Sequence, residues 1–255
     1  MNPIASRLDA MRASFRDLGP LRPIAIWVAV APALGTLLLL SKLPIVVVLV
    51  GPASADPRIA FAASTLGLGL AIGTALLLPS AAAFAAGYCL GAETGAWAAV
   101  LGVALGSVAA QQVVAPRLPA GLFPFMRDRP RAAAVQSLCR GGVIAAALGV
   151  ARVRWAARMP LAVTNLLFAV VAVPKRSVLL GSMFGALPSA LLAAVAGDAF
   201  RTWRERGQLP GSRSLVVAVA ALLGALCLWH ASRRAWRAAR GSTAAPSTRA
   251  DLTWH

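Results

Sequence analysis

The chain has 255 residues, 59% of them hydrophobic and 13% charged, with a mean hydropathy of +0.74. A soluble domain carries about 25% charged residues, so this composition excludes one and points to a membrane. The net charge of +17 sits in short arginine blocks between apolar runs. That pattern argues against nucleic acid as a partner and for topology signals and contacts to anionic lipid headgroups.

Residues 1–22 read as a retained cytoplasmic leader, because Asp9 and Asp17 spoil a signal-peptide n-region and no cleavage site follows. The membrane domain is then expected over 23–232. Pro23 to Ser41 is uncharged and long enough for a first span. "GPASADPR", Gly51 to Arg58, is a loop. Ile59 to Pro116 holds fifty-eight residues and one charge, Glu93. Pro79 divides that run. The reading is a helical hairpin over about 60–91, entering and leaving on one side, then a span from Glu93 to Ala115. Breaks at membrane depth are tolerated where protein shields the backbone.

"RLPAGLFPFMRDRPRAAAVQSLCR", Arg117 to Arg140, is a polar interruption whose five arginines place it inside. Gly141 to Ala151 is too short to span, and "RVRWAAR" ends it. "RMPLAVTNLLFAVVAVPKR", Arg158 to Arg176, encloses sixteen uncharged residues. As a helix these reach about 24 Å, short of a hydrocarbon core about 30 Å thick, so a second hairpin, opening to the inside, is expected. Ser177 to Gly197 reads as a span, Asp198 to Arg213 as a loop, and Ser214 to Ser232 as the last span. The basic tail over 233–255 reads as disordered. Four spans and two opposed hairpins put both termini in the cytoplasm of a cell-membrane protein, although the arginine-rich Asp198–Arg213 loop then falls outside.

The halves, 59–115 and 141–199, correspond. Pro79 precedes Gly102-xxx-Gly106, and Pro160 precedes Gly181-xxx-Gly185 at nearly the same spacing. The expected fold is all-α and integral to the membrane, an inverted repeat with opposed re-entrant hairpins.

"LPSAAAFAAGYCLGAETGAWAAVLGVALGS" and "RMPLAVTNLLFAVVAVPKRSVLLGSMFGALPSALLAAVAG" resemble the two halves of the VTT domain, also called DedA-like or SNARE-associated. Pro160, Asn165, Gly181, Gly185 and Pro188 fall on the second-half pattern. The family's arginine falls at Arg154 or Arg158, and spacing to the proline favours Arg154. The resemblance covers about 60–200. It implies two opposed re-entrant hairpins and movement of phospholipids or polyprenyl phosphates across the bilayer. DedA-type members carry an acid just after the first hairpin's proline. Here Ser80 and Ala81 follow Pro79, which places the chain nearer the Golgi-Tvp-like branch and speaks against proton coupling of the DedA kind.

The candidate substrate path is Glu93, Arg154, Arg158, Thr164, Asn165, Lys175 and Arg176. Glu93 reads equally as a buried functional acid or as the charged start of a span. Thr164 and Asn165 either guide a phosphate or satisfy backbone freed by the turn. The cations, expected to crowd the second hairpin's mouth with Arg152, suit a headgroup. Gly91, Gly95, Gly102, Gly106, Gly181 and Gly185 are expected at close helix contacts. No GxSxG, HExxH or paired-carboxylate motif occurs, and the three cysteines are scattered, so neither an enzyme, a metal nor a cofactor is expected. The function expected is a lipid transporter or scramblase with lipids as partners and homo-oligomers allowed. The alternatives are a secondary transporter or channel for a small anion, or a scaffold without transport.

Overall fold

A computed structural model describes residues 22–41, 56–114, 116, 130–156, 159–207 and 212–242. Among these residues there are nine α-helices, one π-helical turn and no strand. They are α1 Arg22–Ser41, α2 Pro57–Gly73, α3 Pro79–Leu90 and α4 Ala92–Ala109, which continues as the π-helical turn Ala110–Val114. There follow α5 Pro130–Leu138, α6 Val143–Ala156, α7 Leu161–Val170, α8 Lys175–Arg206 and α9 Ser212–Ser242. Ala92–Gln112 and Lys175–Arg206 are long and apolar enough to cross a membrane.

The chain breaks where the prolines predict. Pro79 opens α3, and Pro160 is the N-cap of α7. At the helix start proline loses no hydrogen bond and its fixed φ already suits the helix. Although leucine favours helix, Leu76–Leu78 do not continue α2 into α3. Instead Ala75 takes φ +60, and Thr74 back-bonds through its hydroxyl to Leu70 O at 2.8 Å. From α1, Trp27 Nε1 donates to Thr74 O at 3.1 Å, which satisfies a carbonyl freed by the break.

Glycine contacts set the directions. In the first half Gly69 lies against Gly102, and Gly73 against Gly106, so α2 and α4 run parallel. Gly95 backs onto Ala86 and Gly87, so α3 runs antiparallel to α4. In the second half Gly181 meets Ala147 and Val150, Gly185 meets Ala151 and Arg154, and Ser177 Oγ donates to Val143 O at 3.0 Å. Helices α6 and α8 are therefore parallel too, and α7 carries the chain back from the end of α6 to the start of α8.

Between the halves the long helices α4 and α8 are antiparallel: Ser107 lies level with Ser182, Val103 with Ala186, and Ala99 and Val100 with Ala190. Alanine and serine at these positions let the helices approach closely. Each half thus runs short helix, reversal, shorter helix, reversal, long helix, and the second half is inverted relative to the first. On the other side α9 and α5 cover α6, with Trp236, Val135, Val150, Val153 and Phe168 in one buried cluster.

Several expectations are corrected. Helix α6 continues through Arg152 and Arg154 to Ala156, because Val150, Val153 and Ala156 form one buried stripe. The second reversal therefore lies between α6 and α7, and Arg158 to Arg176 is not itself a hairpin. Asp198 to Arg206 is helical, not loop. Arg201 pairs with Asp198 at 2.7 Å, and Arg204 Nη1 donates to Tyr88 OH at 3.2 Å beside the Phe84, Tyr88 and Phe200 rings. Gly207, at φ +64, ends the helix. The expected tail is helical as far as Ser242, with Trp236 buried. Gly91 packs against nothing: at φ +86 it is the turn between α3 and α4. The leader 1–21, most of the Arg117–Arg140 segment and residues 243–255 lie outside the described residues.

Candidate functional site

The two breaks meet. Ile72, Ala75, Leu78 and Pro79 from the first, Pro160 and Leu161 from the second, and Pro32 and Ala33 from α1 line one open cavity of about 340 Å³. Gly73 sits level with Gly106 on α4, and Arg154 level with Gly185 on α8. In the antiparallel α4–α8 pair these levels overlap toward the C-terminal end of α4 and in the first third of α8.

One cation lies beside this meeting point. Arg154 projects from α6 between α4, α7 and α8. Its Nη2 donates two hydrogens among three acceptors, Ser107 Oγ at 2.7 Å, Ser182 Oγ at 2.8 Å and Asn165 Oδ1 at 2.9 Å. The guanidinium carbon stands 5.5 Å from the centroid of the buried Phe168 ring. Gly185 makes the room, since a Cβ there would lie 2.9 Å from Arg154 Cδ. Both serines pass their own protons to the helix backbone, Ser107 to Val103 O and Ser182 to Val178 O. Their oxygens are thereby left free to accept from the arginine.

The set is unbalanced. Although Arg154 as a whole is half-buried, its Nε and Nη1 are sealed from solvent and have no hydrogen-bond partner. Asn165 Nδ2 and Gln111 Nε2 are sealed and unpartnered in the same way. No carboxylate pairs with Arg154 among the described residues. A buried donor left unmet costs about 1–3 kcal/mol, and an unpaired buried charge costs more. A chain that merely needed packing here would carry Leu or Met.

The sequence-predicted residues divide. Arg154 and Asn165 come together. Thr164 is buried, but its hydroxyl donates to Leu161 O at 2.8 Å in its own helix, so it serves the backbone. Glu93 is exposed in the first turn of α4, where it complements the helix N-terminus. It stands fourteen residues, about 21 Å, along the helix from Ser107. Lys175 and Arg176 are exposed at the start of α8. The cations do not crowd one mouth, because α7 separates that end from the arginine-bearing end of α6. Arg158 lies outside the described residues. Pro188 is half-buried within α8. Sequence reasoning missed Ser107, Ser182 and Gln111. The signal was present: each serine follows directly on a packing glycine, Gly106 or Gly181, inside an apolar run.

No protein-family model matches this sequence, and neither a curated protein nor a solved structure is similar to it.

Proposed function

We propose that this protein is a multi-pass membrane protein of the cell membrane that moves lipids with phosphate headgroups, phospholipids or polyprenyl phosphates, between leaflets. In this reading α2–α3 and α6–α7 are re-entrant hairpins that dip from opposite sides. Helix α2 reaches about 25 Å and α6 about 21 Å, both shorter than the hydrocarbon core of about 30 Å. The level of Glu93 and the level of Lys175 are about 30 Å apart along the α4–α8 pair, close to one hydrocarbon thickness. Both termini are then cytoplasmic, and the arginines at the α6–α8 end face the same side.

The observation that carries the reading is Arg154: a buried guanidinium with unmet donors, about 10 Å along the helix pair from the level of Lys175 and about 21 Å from that of Glu93, beside the cavity where the two breaks meet. An ionisable group inside a membrane segment marks a substrate path by default. Here it offers a charged headgroup a stop within the core, while the tails stay in lipid outside the open cavity. The path requires only that the headgroup exchange water for these donors and then leave, so movement is passive down a gradient.

The test is a headgroup-exposure assay in vesicles containing purified protein. Labelled phosphatidylglycerol is expected to become accessible many times faster than in protein-free vesicles. Rates equal to the controls for phospholipids and polyprenyl phosphates alike would refute the reading. Flux of a small anion without lipid movement would replace it with an anion pathway.

A further inference from the structure

The unmet groups around Arg154 share one property: all are N–H donors. Arg154 Nε and Nη1, Asn165 Nδ2 and Gln111 Nε2 all present hydrogens. Gln111 belongs to this set by register. It stands four residues beyond Ser107, which accepts from Arg154 at 2.7 Å, and so shares its helix face. The π-helical turn that carries it, Ala110–Val114, packs against α7, the helix that bears Asn165.

We propose that this cluster is a binding site for a phosphodiester monoanion, and that Gln111 is the arm that selects it. The proposal rests on the reading of Arg154 as the headgroup site and deepens it. The argument runs through charge and proton count. Arg154 supplies one positive charge, and among the described residues no second charge joins it. A monoanion leaves the buried complex neutral, whereas a dianion leaves a net charge in a low dielectric, at a cost of several kcal/mol. Arg154 keeps free hydrogens on two different edges, at Nε and at Nη1, for the oxygens of an anion. Together with the Asn165 and Gln111 amides it offers more hydrogens than the two oxygens of a carboxylate can accept. A phosphodiester has four oxygens and no hydroxyl. A phosphomonoester, at neutral pH, is largely a dianion, and when singly charged it brings a P–OH donor to a site already full of donors.

The experiment is thermal unfolding of the full chain in a neutral detergent, titrated with dimethyl phosphate, inorganic phosphate and acetate, and separately with phosphatidylglycerol. Dimethyl phosphate at saturation is expected to raise the wild-type midpoint by about 3–5 °C. Acetate and inorganic phosphate are expected to give less than half of that. Phosphatidylglycerol shifting the midpoint where dimethyl phosphate also does assigns the site to the headgroup alone; the lipid shifting it alone assigns the site to a membrane-borne phosphodiester. Gln111→Glu puts a carboxylate on the helix face where Ser107 meets Arg154. It is expected to raise the midpoint without ligand and to abolish the response to dimethyl phosphate, a pair of effects that simple loss of packing cannot give. Gln111→Leu is expected to weaken dimethyl phosphate at least fivefold while leaving acetate unchanged. The proposal is overturned if neither phosphodiester moves the wild-type midpoint, if acetate matches dimethyl phosphate, or if Gln111→Glu responds as the wild type does. Vesicle transport is scored separately. Binding without lipid movement would sink the transport reading and leave the site; lipid movement without binding would do the reverse.

Discussion

The two halves of the protein repeat one path of the chain but use it differently. In the first half α2 meets α4 through glycine on both sides, Gly69 and Gly73 against Gly102 and Gly106, and the backbones touch. In the second half α6 meets α8 with glycine on one side only. Gly181 and Gly185 face Ala147, Val150, Ala151 and the stem of Arg154. The space that the first half closes with backbone is, in the second, occupied by a long cationic side chain. Where one half keeps two backbones in contact, the other places a side chain that reaches across to Ser107 of α4.

Changes that strike one half and spare the other sharpen this contrast. The largest expected effect is that of Arg154→Gln. Lipid movement is expected to fall to the protein-free rate, while stability stays level or rises by about 1–3 kcal/mol because unmet donors are removed. Vesicle assays and thermal unfolding on the same preparation would check both. Gly106→Leu should do the opposite. Its side chain would meet the backbone of Gly69 and Gly73, and such overpacking costs about 1–3 kcal/mol. The midpoint of unfolding should drop first, and transport only in consequence.

Gly185→Ala is intermediate. The added methyl would press on Arg154 Cδ at 2.9 Å, part-way along a flexible side chain that can yield. Transport should fall several-fold, with a loss of stability under about 1 kcal/mol, read as a lowered rate at a midpoint lowered by no more than about 4 °C. Ser107→Ala and Ser182→Ala each remove one acceptor from Nη2 and should cost about 1–2 kcal/mol of arginine positioning singly. Their double-mutant cycle should be non-additive, because both serve one nitrogen. Glu93→Gln should be the smallest: less than a twofold change in rate, since the exposed carboxylate lies about 21 Å along α4 from the site. A loss of transport as large as that of Arg154→Gln would put an acid into the mechanism.

Much of this was legible in the sequence where local chemistry decides. Pro79 and Pro160 place both breaks, since proline at the first turn is a local preference needing no tertiary partner. Gly102, Gly106, Gly181 and Gly185 mark real contacts because a missing side chain is itself the signal. Legibility failed where packing overrides charge. "RVRW" reads as a polar interruption, yet Val153 and Ala156 bury one face of that stretch and keep it helical around Arg154. Asp198 to Arg206 reads as a loop, yet the Asp198–Arg201 pair and the contact of Arg204 with Tyr88 hold it in α8. Gly91 sits in two GxxxG pairs but serves as a turn, because the spacing alone cannot tell a helix face from a helix end. Gln111 is invisible to a linear reading, since its meaning comes from the asparagine on a helix fifty residues away.

Labelling of the two breaks decides whether they lie inside the bilayer. Single cysteines at Glu93, Leu76, Ala162 and Lys175, in a chain with Cys89, Cys139 and Cys227 replaced, would be treated with a membrane-impermeant thiol reagent from each side. Glu93 and Lys175 should label rapidly from opposite faces. Leu76 and Ala162 should label slowly or not at all from either. Rapid labelling of Leu76 from the face opposite Glu93 would make α2 a complete crossing, and there would be no thin region for a headgroup to traverse.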